Sequence, residues 1–442
     1  MSTAIADSQF ARYAQRLRAL NETVLKHGGL PFPHVDEAAA HLDGLANREL
    51  QATVARADLR RLGAFFTGEA LANQAVEMCQ TPLPTKTVAD PACGCGDLLI
   101  AAARQMEICD SLEETLRRWG GTLRGVDCVP EFVDVARQRL MLLAVQRGAR
   151  VGGASLPPLE ALFPQIVVGD GLNHHFLSEA DIVVANPPYG KVSCPEGTPW
   201  GTGMMTAASI WAMAIGKKVR PHTEVVAVLP DVLRSGSRYE KWRKEIGELL
   251  IVNEVRVIGQ FDALTDVDVF LLRGHKKEQR SSSSWPKLTE PWQTLDSLCS
   301  VSVGSVVDRR DPHAGPWVPY ITTRELPRSG EFRPSRKRRF GQKLFRPPFV
   351  LIRRTSRPSD GRQRLSPVLV RGPQPVAVEN HLIVLQPKGR TIKEANRLIE
   401  LLEDPRTTEW LNVRIRTRHL TVSAVREIPV NRSTDADLAR EP

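Results

Sequence analysis

The sequence predicts an α/β fold built on an open sheet, followed by a second, strongly basic domain of mixed helices and strands. Apolar runs of strand length alternate with helical segments over about residues 61–280, which is typical of strand–helix–strand units. Polar residues follow four of these runs, as they do in open sheets that bind ligands. Residues 1–300 hold 32 Lys and Arg against 35 Asp and Glu, whereas residues 301–442 hold 28 against 15. The basic excess therefore lies in the last third, which suits a polyanionic partner.

Composition places the chain among globular proteins. Its 442 residues predict two or three domains, and 42% of them are hydrophobic while 25% are charged. No apolar run approaches the ~18 residues that span a bilayer, and the first residues lack the apolar stretch of a secretory signal. The seven cysteines form an odd set without a repeated CxxC pair, which argues against a disulfide framework and a zinc site. We therefore expect a cytoplasmic protein without a structural metal.

The chain divides into four predicted parts. Residues 1–60 show helical spacing of apolar side chains, interrupted by Pro31 and Pro33, and predict a helical N-terminal cap. Residues 61–280 carry the predicted sheet. The serine-rich residues 281–290 are typical of a linker, and residues 291–442 form the predicted basic domain.

Four predicted strands are each followed by an acid or an amide. Asp90 and Asp127 end the first two strands, Asp170 follows the third, and Asn186 follows the fourth. In an open α/β sheet such strand ends line one crevice, where ligands bind. The four residues together are therefore far more specific than any one of them.

The turn after Asp90 contains Gly94 and Gly96 and opens a helix, so its backbone can approach a polar ligand closely. Asp127 is suited to a ribose diol, because a carboxylate accepts hydrogen bonds from both hydroxyls. The alternatives are glycines needed for packing alone and an acid that stabilises a helix N-terminus. Thr67 precedes another predicted helix, and we expect it to cap that helix.

The fourth strand ends in Asn186-Pro187-Pro188-Tyr189, and the two prolines stop the strand in a stiff loop. The Asn186 amide and the Pro187 carbonyl offer two acceptors beside one aromatic face, as the exocyclic amine of a planar base requires. An ordinary strand-to-loop exit is the alternative, since Asn and Pro are common turn residues.

In this order, Phe65-Phe66-Thr67, the Asp90–Gly96 segment, Asp127, Asp170 and Asn186-Pro-Pro-Tyr resemble the gamma-class N6-adenine DNA methyltransferases of restriction–modification systems. The resemblance covers about residues 61–275. It implies a Rossmann-like class I methyltransferase sheet and S-adenosylmethionine as methyl donor. The cofactor-binding residues that it implies are Thr67, Asp90, Ala92, Gly94, Gly96, Asp127, Asp170 and Asn186.

The resemblance further implies methyl transfer to N6 of an adenine flipped out of duplex DNA. Asn186, Pro187, Pro188 and Tyr189 would be the catalytic residues, and Tyr189 and Phe261 would stack on the base. Two residues depart from the family pattern. Gly68 stands in place of the usual proline, which we expect to loosen the loop, and Cys95 in place of serine or threonine.

Residues 333–358 contain ten Lys or Arg and no acid, with Phe340, Phe345 and Phe349 between them. This stretch is the predicted nucleic-acid face, because arginine forks suit phosphates and guanine edges. A solvated basic loop is the alternative. The candidate DNA-binding residues are Arg336, Lys337, Arg338, Arg339, Arg353 and Arg354. The region also resembles target-recognition domains, which implies double-stranded DNA and a separately encoded restriction endonuclease as partners.

Two other classes of function compete with this interpretation. A methyltransferase for RNA or for a protein glutamine would also use Asn-Pro-Pro-Tyr. Against it stand the Phe-Phe-Thr segment and a basic domain of about 140 residues, which is too large for a simple glutamine modifier. A non-catalytic DNA-specificity subunit would have lost cofactor residues, whereas every expected polar position is present. The recognition sequence depends on side-chain geometry and does not follow from spacing.

Overall fold

The computed structural model describes residues 9–53, 66–152, 155–261, 267–281, 285, 293–356 and 363–430. The chain forms two compact units, residues 1–233 with 238–286 and residues 234–237 with 287–442. Three parts of the sequence predictions lie outside the described residues: most of the predicted linker 281–290, Phe65, and residues 54–60 of the predicted N-terminal cap.

The first unit contains a seven-stranded sheet in the order β3-β2-β1-β4-β7-β9-β8. Strands β3, β2, β1, β4 and β7 are parallel, while β9 runs antiparallel to both β7 and β8. The strands up to residue 286 are β1 (Val88–Asp90), β2 (Leu123–Asp127), β3 (Ile166–Val168), β4 (Ile182–Ala185), β5 (Lys191–Ser193), β6 (Met204–Thr206), β7 (Glu224–Pro230), β8 (Leu250–Gln260) and β9 (Asp268–Lys276). This arrangement confirms the predicted Rossmann-like α/β fold.

The helices in the same part of the chain are α1 (Gln9–His27), α2 (Val35–Leu42), α3 (Leu45–Thr53), α4 (Glu69–Glu77), α5 (Asp97–Arg104), α6 (Leu112–Thr122), α7 (Pro130–Gln146), α8 (Leu159–Leu162), α9 (Ala207–Lys218), α10 (Asp231–Ser235) and α11 (Glu240–Leu249). Helix α1 buries Phe10, Tyr13 and Leu17, as its apolar spacing predicts. The Asn21 side chain of α1 donates to the Gln138 carbonyl of α7 at 3.0 Å. The N-terminal helices therefore pack on the sheet unit.

The sequence of the central strands explains their place in the sheet. All residues of β4 and β7 are buried, as expected where helices cover both faces of parallel strands. Buried Glu224, the first residue of β7, accepts hydrogen bonds from the Gln80 and Thr81 backbone at 3.0 and 2.8 Å. Pro187 and Pro188 follow β4 and end it, so Asn186 lies at the edge of the sheet.

The second unit contains a five-stranded sheet, β10-β17-β14-β15-β12, and a three-stranded sheet, β13-β11-β16. Its strands are β10 (Cys299–Val303), β11 (Trp317–Ile321), β12 (Gly330–Phe332), β13 (Lys337–Arg339), β14 (Phe349–Arg353), β15 (Val368–Val370), β16 (Ala377–Val378) and β17 (Leu382–Pro387). Its helices are α12 (Ile392–Glu403), α13 (Pro405–Arg414) and α14 (Val422–Arg426). The α+β class predicted for this unit is confirmed.

One part of the predicted nucleic-acid face belongs to the core. Phe340, Phe345 and Phe349, which alternate with basic residues in the sequence, are each at most 2% exposed. They fill apolar clusters of the second unit, so the aromatic residues of this stretch stabilise the fold and do not reach a ligand.

None of the helices in the described ranges has the length and apolar character needed to cross a membrane.

Candidate active site

The loop of residues 91–96, here called the glycine loop, connects β1 to α5 and is tied to the end of β2. Asp90 is 1% exposed, and its carboxylate accepts a hydrogen bond from the Ala92 N–H at 3.1 Å. The Asp127 carboxylate accepts from Gly94 N at 3.0 Å and from Val129 N at 2.9 Å. Two acidic groups therefore lie at neighbouring strand ends, joined through the backbone of one loop.

The two glycines of this loop have conformations and neighbours that exclude larger residues. Gly94 and Gly96 adopt φ of 50° and 85°. A Cβ on Gly94 would lie 2.9 Å from the Phe66 ring, and a Cβ on Gly96 would lie 3.0 Å from the Ala136 side chain. Phe66 also contacts Phe132 edge-on, with ring centroids 5.0 Å apart. The glycine loop therefore rests on an aromatic side chain that the Phe-Phe-Thr segment supplies.

Thr67 does not cap the following helix, and this prediction was wrong. Helix α4 begins at Glu69, and its N-cap residue is Gly68, which makes no side-chain cap. The Thr67 hydroxyl instead accepts a hydrogen bond from the Asn186 side-chain amide at 3.0 Å. The threonine is engaged by the asparagine at the end of β4, which fixes the orientation of that amide.

Tyr189 completes a three-residue chain. Its hydroxyl donates to the Asn186 amide oxygen at 2.6 Å, so the asparagine is held from both ends of its amide. The ring of Tyr189 contacts Phe261 edge-on, with centroids 5.6 Å apart. The structure thus brings Thr67, Asn186, Tyr189 and Phe261 together.

A buried ion pair connects this region to the N-terminal helices. Asp97, the first residue of α5, accepts from Gly68 N at 2.8 Å and from the Arg139 guanidinium at 2.8 Å. Arg139 is 1% exposed and also donates to the Cys95 carbonyl at 2.6 Å and to the His41 carbonyl at 2.8 Å. Arg139 therefore joins α2, the glycine loop and the Thr67 segment.

The expected loosening at Gly68 is not seen. The residue has φ of 71° and ψ of 162°, a conformation that proline cannot adopt, and its N–H is bonded to buried Asp97. Glycine at this position therefore allows a loop conformation that the hydrogen bond to Asp97 holds in place.

Burial governs the acidity of the site. It raises the pKa of Asp90 from 3.8 to about 8, opposed by the Ala92 N–H and assisted by Asp127 and Asp97. Burial likewise raises the pKa of Asp127 above its ordinary value, against hydrogen bonds from Val129 and Gly94. It also raises the pKa of Tyr189, so the hydroxyl keeps the proton that it donates to Asn186.

Asp170 lies two residues beyond β3. It is exposed, and its carboxylate accepts from Leu172 N at 3.0 Å and from the Asn173 amide at 2.7 Å. The next residue, Gly171, packs so tightly that a Cβ would lie 1.7 Å from the Pro91 carbonyl oxygen. The segment after β3 therefore touches the glycine loop, although Asp170 itself is engaged locally.

Sequence reasoning missed several residues of this region. Gly171 and Asp97 adjoin residues that were singled out, so the Asp-Gly and Gly-Asp pairs were available signals. Glu131, four residues after Asp127, has a buried carboxylate oxygen without a hydrogen-bond partner within the described ranges. Arg139 stands in a largely apolar helix and offers no sequence signal for its contacts.

The six candidate DNA-binding residues differ in exposure. Arg338 is 2% exposed, contacts the Asp308 carboxylate and donates to the Asp311 carbonyl at 2.6 Å, so its prediction as a DNA contact is wrong. Arg353 is partly buried and contacts the Leu326 and Pro327 carbonyls.

The remaining candidates are more accessible. Arg336, Lys337 and Arg339 are exposed, and Arg354 is partly buried.

No group of three or more His, Cys, Asp or Glu side chains in the described residues is arranged to hold a metal ion. Burial raises the pKa of the Cys93 and Cys95 thiols well above the ordinary value, so both stay neutral.

An open sheet in this strand order, with acids at the ends of β1 and β2, a glycine loop after β1 and Asn-Pro-Pro-Tyr after β4, defines a class I methyltransferase fold. Residues 49–255 match the family model described as N-6 DNA Methylase.

The solved structures to which this chain is similar are distant from it in sequence. A modification subunit assigned to a type I restriction enzyme of Vibrio vulnificus YJ016 is 17% identical over 53% of this chain and 48% of that chain, with a TM-score of 0.39. The type IIL restriction-modification enzyme MmeI in complex with DNA is 14% identical over 86% and 70%, with a TM-score of 0.48. The EcoKI M protein is 16% identical over 61% and 68%, with a TM-score of 0.34. The chain thus spans about half the length of the Vibrio protein.

Proposed function

We propose that the protein is a site-specific DNA methyltransferase that transfers a methyl group from S-adenosylmethionine to N6 of an adenine flipped out of duplex DNA. One observation carries the proposal. At the end of β4, the Asn186 amide is held by Thr67 at 3.0 Å and by Tyr189 at 2.6 Å, next in the sheet to the acidic end of β1. The DNA methylase family match supports the same activity.

The residues present fit the proposed cofactor. Asp90, Asp127 and the glycine loop offer carboxylates and close backbone approach, as a ligand with an amino group and a ribose requires. The buried carboxylate oxygen of Glu131, which has no hydrogen-bond partner among the described residues, adds an acceptor in the first turn of α7. When bound, the cofactor supplies a methyl group already activated by its sulfonium. Thr67, Ala92, Gly94, Gly96 and Asp170 are the other proposed cofactor residues.

For this reaction the protein must raise the nucleophilicity of an amine whose lone pair is delocalised into a ring. The Asn186 amide oxygen and the Pro187 carbonyl would accept the two amine hydrogens, which favours a tetrahedral nitrogen. Since Tyr189 already donates to Asn186, a base amine would share or replace that hydrogen bond. Tyr189 and Phe261 would then lie against the base. No strong general base is needed, because the proton can leave after transfer.

The charge of the second unit and the energy needed to extrude a base both bear on duplex DNA as the substrate. Extrusion of a paired base costs a few kcal/mol, which contacts to the DNA backbone must offset. Residues 301–442 carry 28 Lys and Arg against 15 Asp and Glu, as such contacts require. Methylation of one sequence would protect DNA against a separately encoded endonuclease, which is the protein partner we propose.

The test is single-molecule sequencing of bacterial genomic DNA after expression of the protein. We expect N6-methyladenine in one short motif, and a loss of at least about 100-fold in methylation rate with Asn186→Ala, since the preorganised acceptor is removed. Asn253→Ala, an exposed asparagine on β8, is the matched control and should retain activity. A folded wild-type protein that methylates RNA or a protein but leaves DNA unmodified would refute the proposal.

A further inference from the structure

A large aromatic side chain stands exposed in the second unit. Trp317, the first residue of β11, is 68% exposed, and burial of such a side chain would contribute substantially to binding. Strand β11 pairs with β13 in antiparallel register, with Trp317 opposite Arg339 and Pro319 opposite Lys337. We call these two strands the basic ribbon.

The register gives the basic ribbon two different faces. Residues opposite one another in an antiparallel pair point to the same side, and side chains alternate along each strand. Trp317, Pro319, Lys337 and Arg339 therefore share one face, on which the tryptophan and both cations are exposed.

The other face of the ribbon is anchored. Val318, Tyr320 and Arg338 are buried there, at 8%, 2% and 2% exposure. The Arg338 guanidinium lies 5.4 Å from the Tyr320 ring centroid and contacts Asp308. This buried cluster holds the ribbon rigid. Binding of a ligand to the outer side chains would therefore not carry a large entropic cost of ordering the backbone.

A cavity of about 600 Å³ opens beside Pro319, a size typical of ligand sites. Half of its lining residues are proline, and Arg333 and Gln374 are the exposed polar side chains that line it. Within the described ranges, neither the Arg333 guanidinium nor the Gln374 amide makes a hydrogen bond. Arg371, also in the lining, is paired with Glu331 at 2.8 Å.

We propose that the outer face of the basic ribbon and this cavity form the surface that reads DNA sequence, with Arg333 and Gln374 contacting base edges. This inference rests on the proposed function and names the residues that would choose its target. Lys337 and Arg339 hold phosphates, and Trp317 packs against the nucleic acid. Arginine forks match guanine edges and glutamine amides match adenine edges, so both free polar groups have the chemistry of base readers.

The charges around the face favour DNA over a protein partner. The acids nearest to it in the sequence, Asp311, Glu325 and Glu331, are paired with Arg310, Arg336 and Arg371. Among the described residues, this leaves Lys337, Arg339 and Arg333 without an acidic partner. A cavity lined by proline rings, with few hydrogen-bond donors, suits planar bases more than the varied side chains of a peptide.

The test compares methylation motifs of variants by sequencing genomic DNA after expression in the same host. With Gln374→Ala or Arg333→Ala we expect methylation to spread to other bases at one motif position, with a discrimination loss of about tenfold or more. Arg397→Ala, an exposed arginine on α12, is the matched control and should keep the motif unchanged.

Trp317 gives a second readout, DNA affinity in a fluorescence polarisation assay with the wild-type motif. Trp317→Ala should weaken binding about tenfold, whereas Trp317→Phe keeps an aromatic ring and should retain most of it. If the wild type methylates a motif that the Gln374 and Arg333 variants both reproduce, or if Trp317→Ala binds as the wild type does, the inference is overturned. If the wild type methylates no DNA motif, the proposed function itself fails.

Discussion

Gly68 shows how one residue determines the path of a loop. Its φ of 71° and ψ of 162° lie in a region that is essentially restricted to glycine, and its N–H bonds to the Asp97 carboxylate. The family pattern has proline at this position, and proline could provide neither the backbone angle nor the donor. The backbone conformation next to Thr67 in this chain is therefore one that a proline at position 68 could not adopt.

We expect Gly68→Ala to cost about 1–3 kcal/mol of stability through backbone strain alone, since a Cβ there meets no atom within 4 Å. Gly68→Pro should cost more, because it also removes the hydrogen bond to a buried carboxylate. Urea unfolding of both variants measures the difference. Equal stability of the proline variant and the wild type would show that the loop is not held through Gly68.

The pKa of Asp90 predicts a pH dependence of stability. The carboxyl is ionised above about pH 4 in the unfolded chain but stays protonated to about pH 8 in the folded protein. Folding therefore takes up a proton in this window, and this contribution to stability is present below pH 4 and lost as pH rises to 8. Relative to Asp90→Asn, the wild type should lose stability between about pH 5 and about pH 8. A constant difference across this range, measured by urea unfolding, would contradict the burial argument.

At the scale of elements, Arg139 joins three segments that are distant in sequence. It binds the carbonyl of His41 at the end of α2, the Cys95 carbonyl in the glycine loop and the Asp97 carboxylate. Through Asp97 it also supports the segment that carries Thr67. The N-terminal helices therefore support the end of the sheet where the glycine loop follows β1.

Removal of one partner of this buried pair leaves the other charge unpaired. We expect Arg139→Met to lower the free energy of unfolding by about 3–5 kcal/mol, and Asp97→Asn in the same chain to restore part of it. Arg117→Met removes an exposed pair with Glu113 and should cost less than about 1 kcal/mol. A cost for Arg139→Met as small as that of the Arg117 control would show that the ion pair does not connect these elements.

At the scale of the whole molecule, charge is unevenly distributed between the two parts of the chain. The first 300 residues are near neutral, with 32 Lys and Arg against 35 acids, and the rest are strongly basic. Cofactor and DNA binding should therefore respond differently to salt.

We expect the DNA affinity to fall steeply with salt, with a logarithmic slope of about −0.9 for each phosphate contacted. The affinity for S-adenosylmethionine should change by less than about twofold over the same range, because its proposed binding residues lie in the near-neutral part of the chain. Fluorescence polarisation for DNA and calorimetry for the cofactor supply both slopes. A shallow DNA slope would argue against extensive phosphate contacts.

The sequence by itself determined the sheet, its helices and the neighbouring polar ends of its strands. The signals that predict these elements are local: apolar runs of strand length, two prolines after β4 and glycines after β1. The spacing of apolar residues along the chain then indicates whether each segment is a helix or a strand. It also located the charge, because net charge is a sum over residues and needs no coordinates. The family resemblance followed from the order of the same motifs.

Only the tertiary structure decided which polar groups face one another. Thr67 was expected to cap a helix and instead engages Asn186, 119 positions away, because the segment before α4 meets the end of β4. Arg338 stands among cations in the sequence, yet it is buried against Asp308, while Trp317 is exposed on the opposite face. Strand register and long-range packing determine these contacts. The sequence gives the spacing of the side chains, but their partners depend on which distant segments meet in the fold.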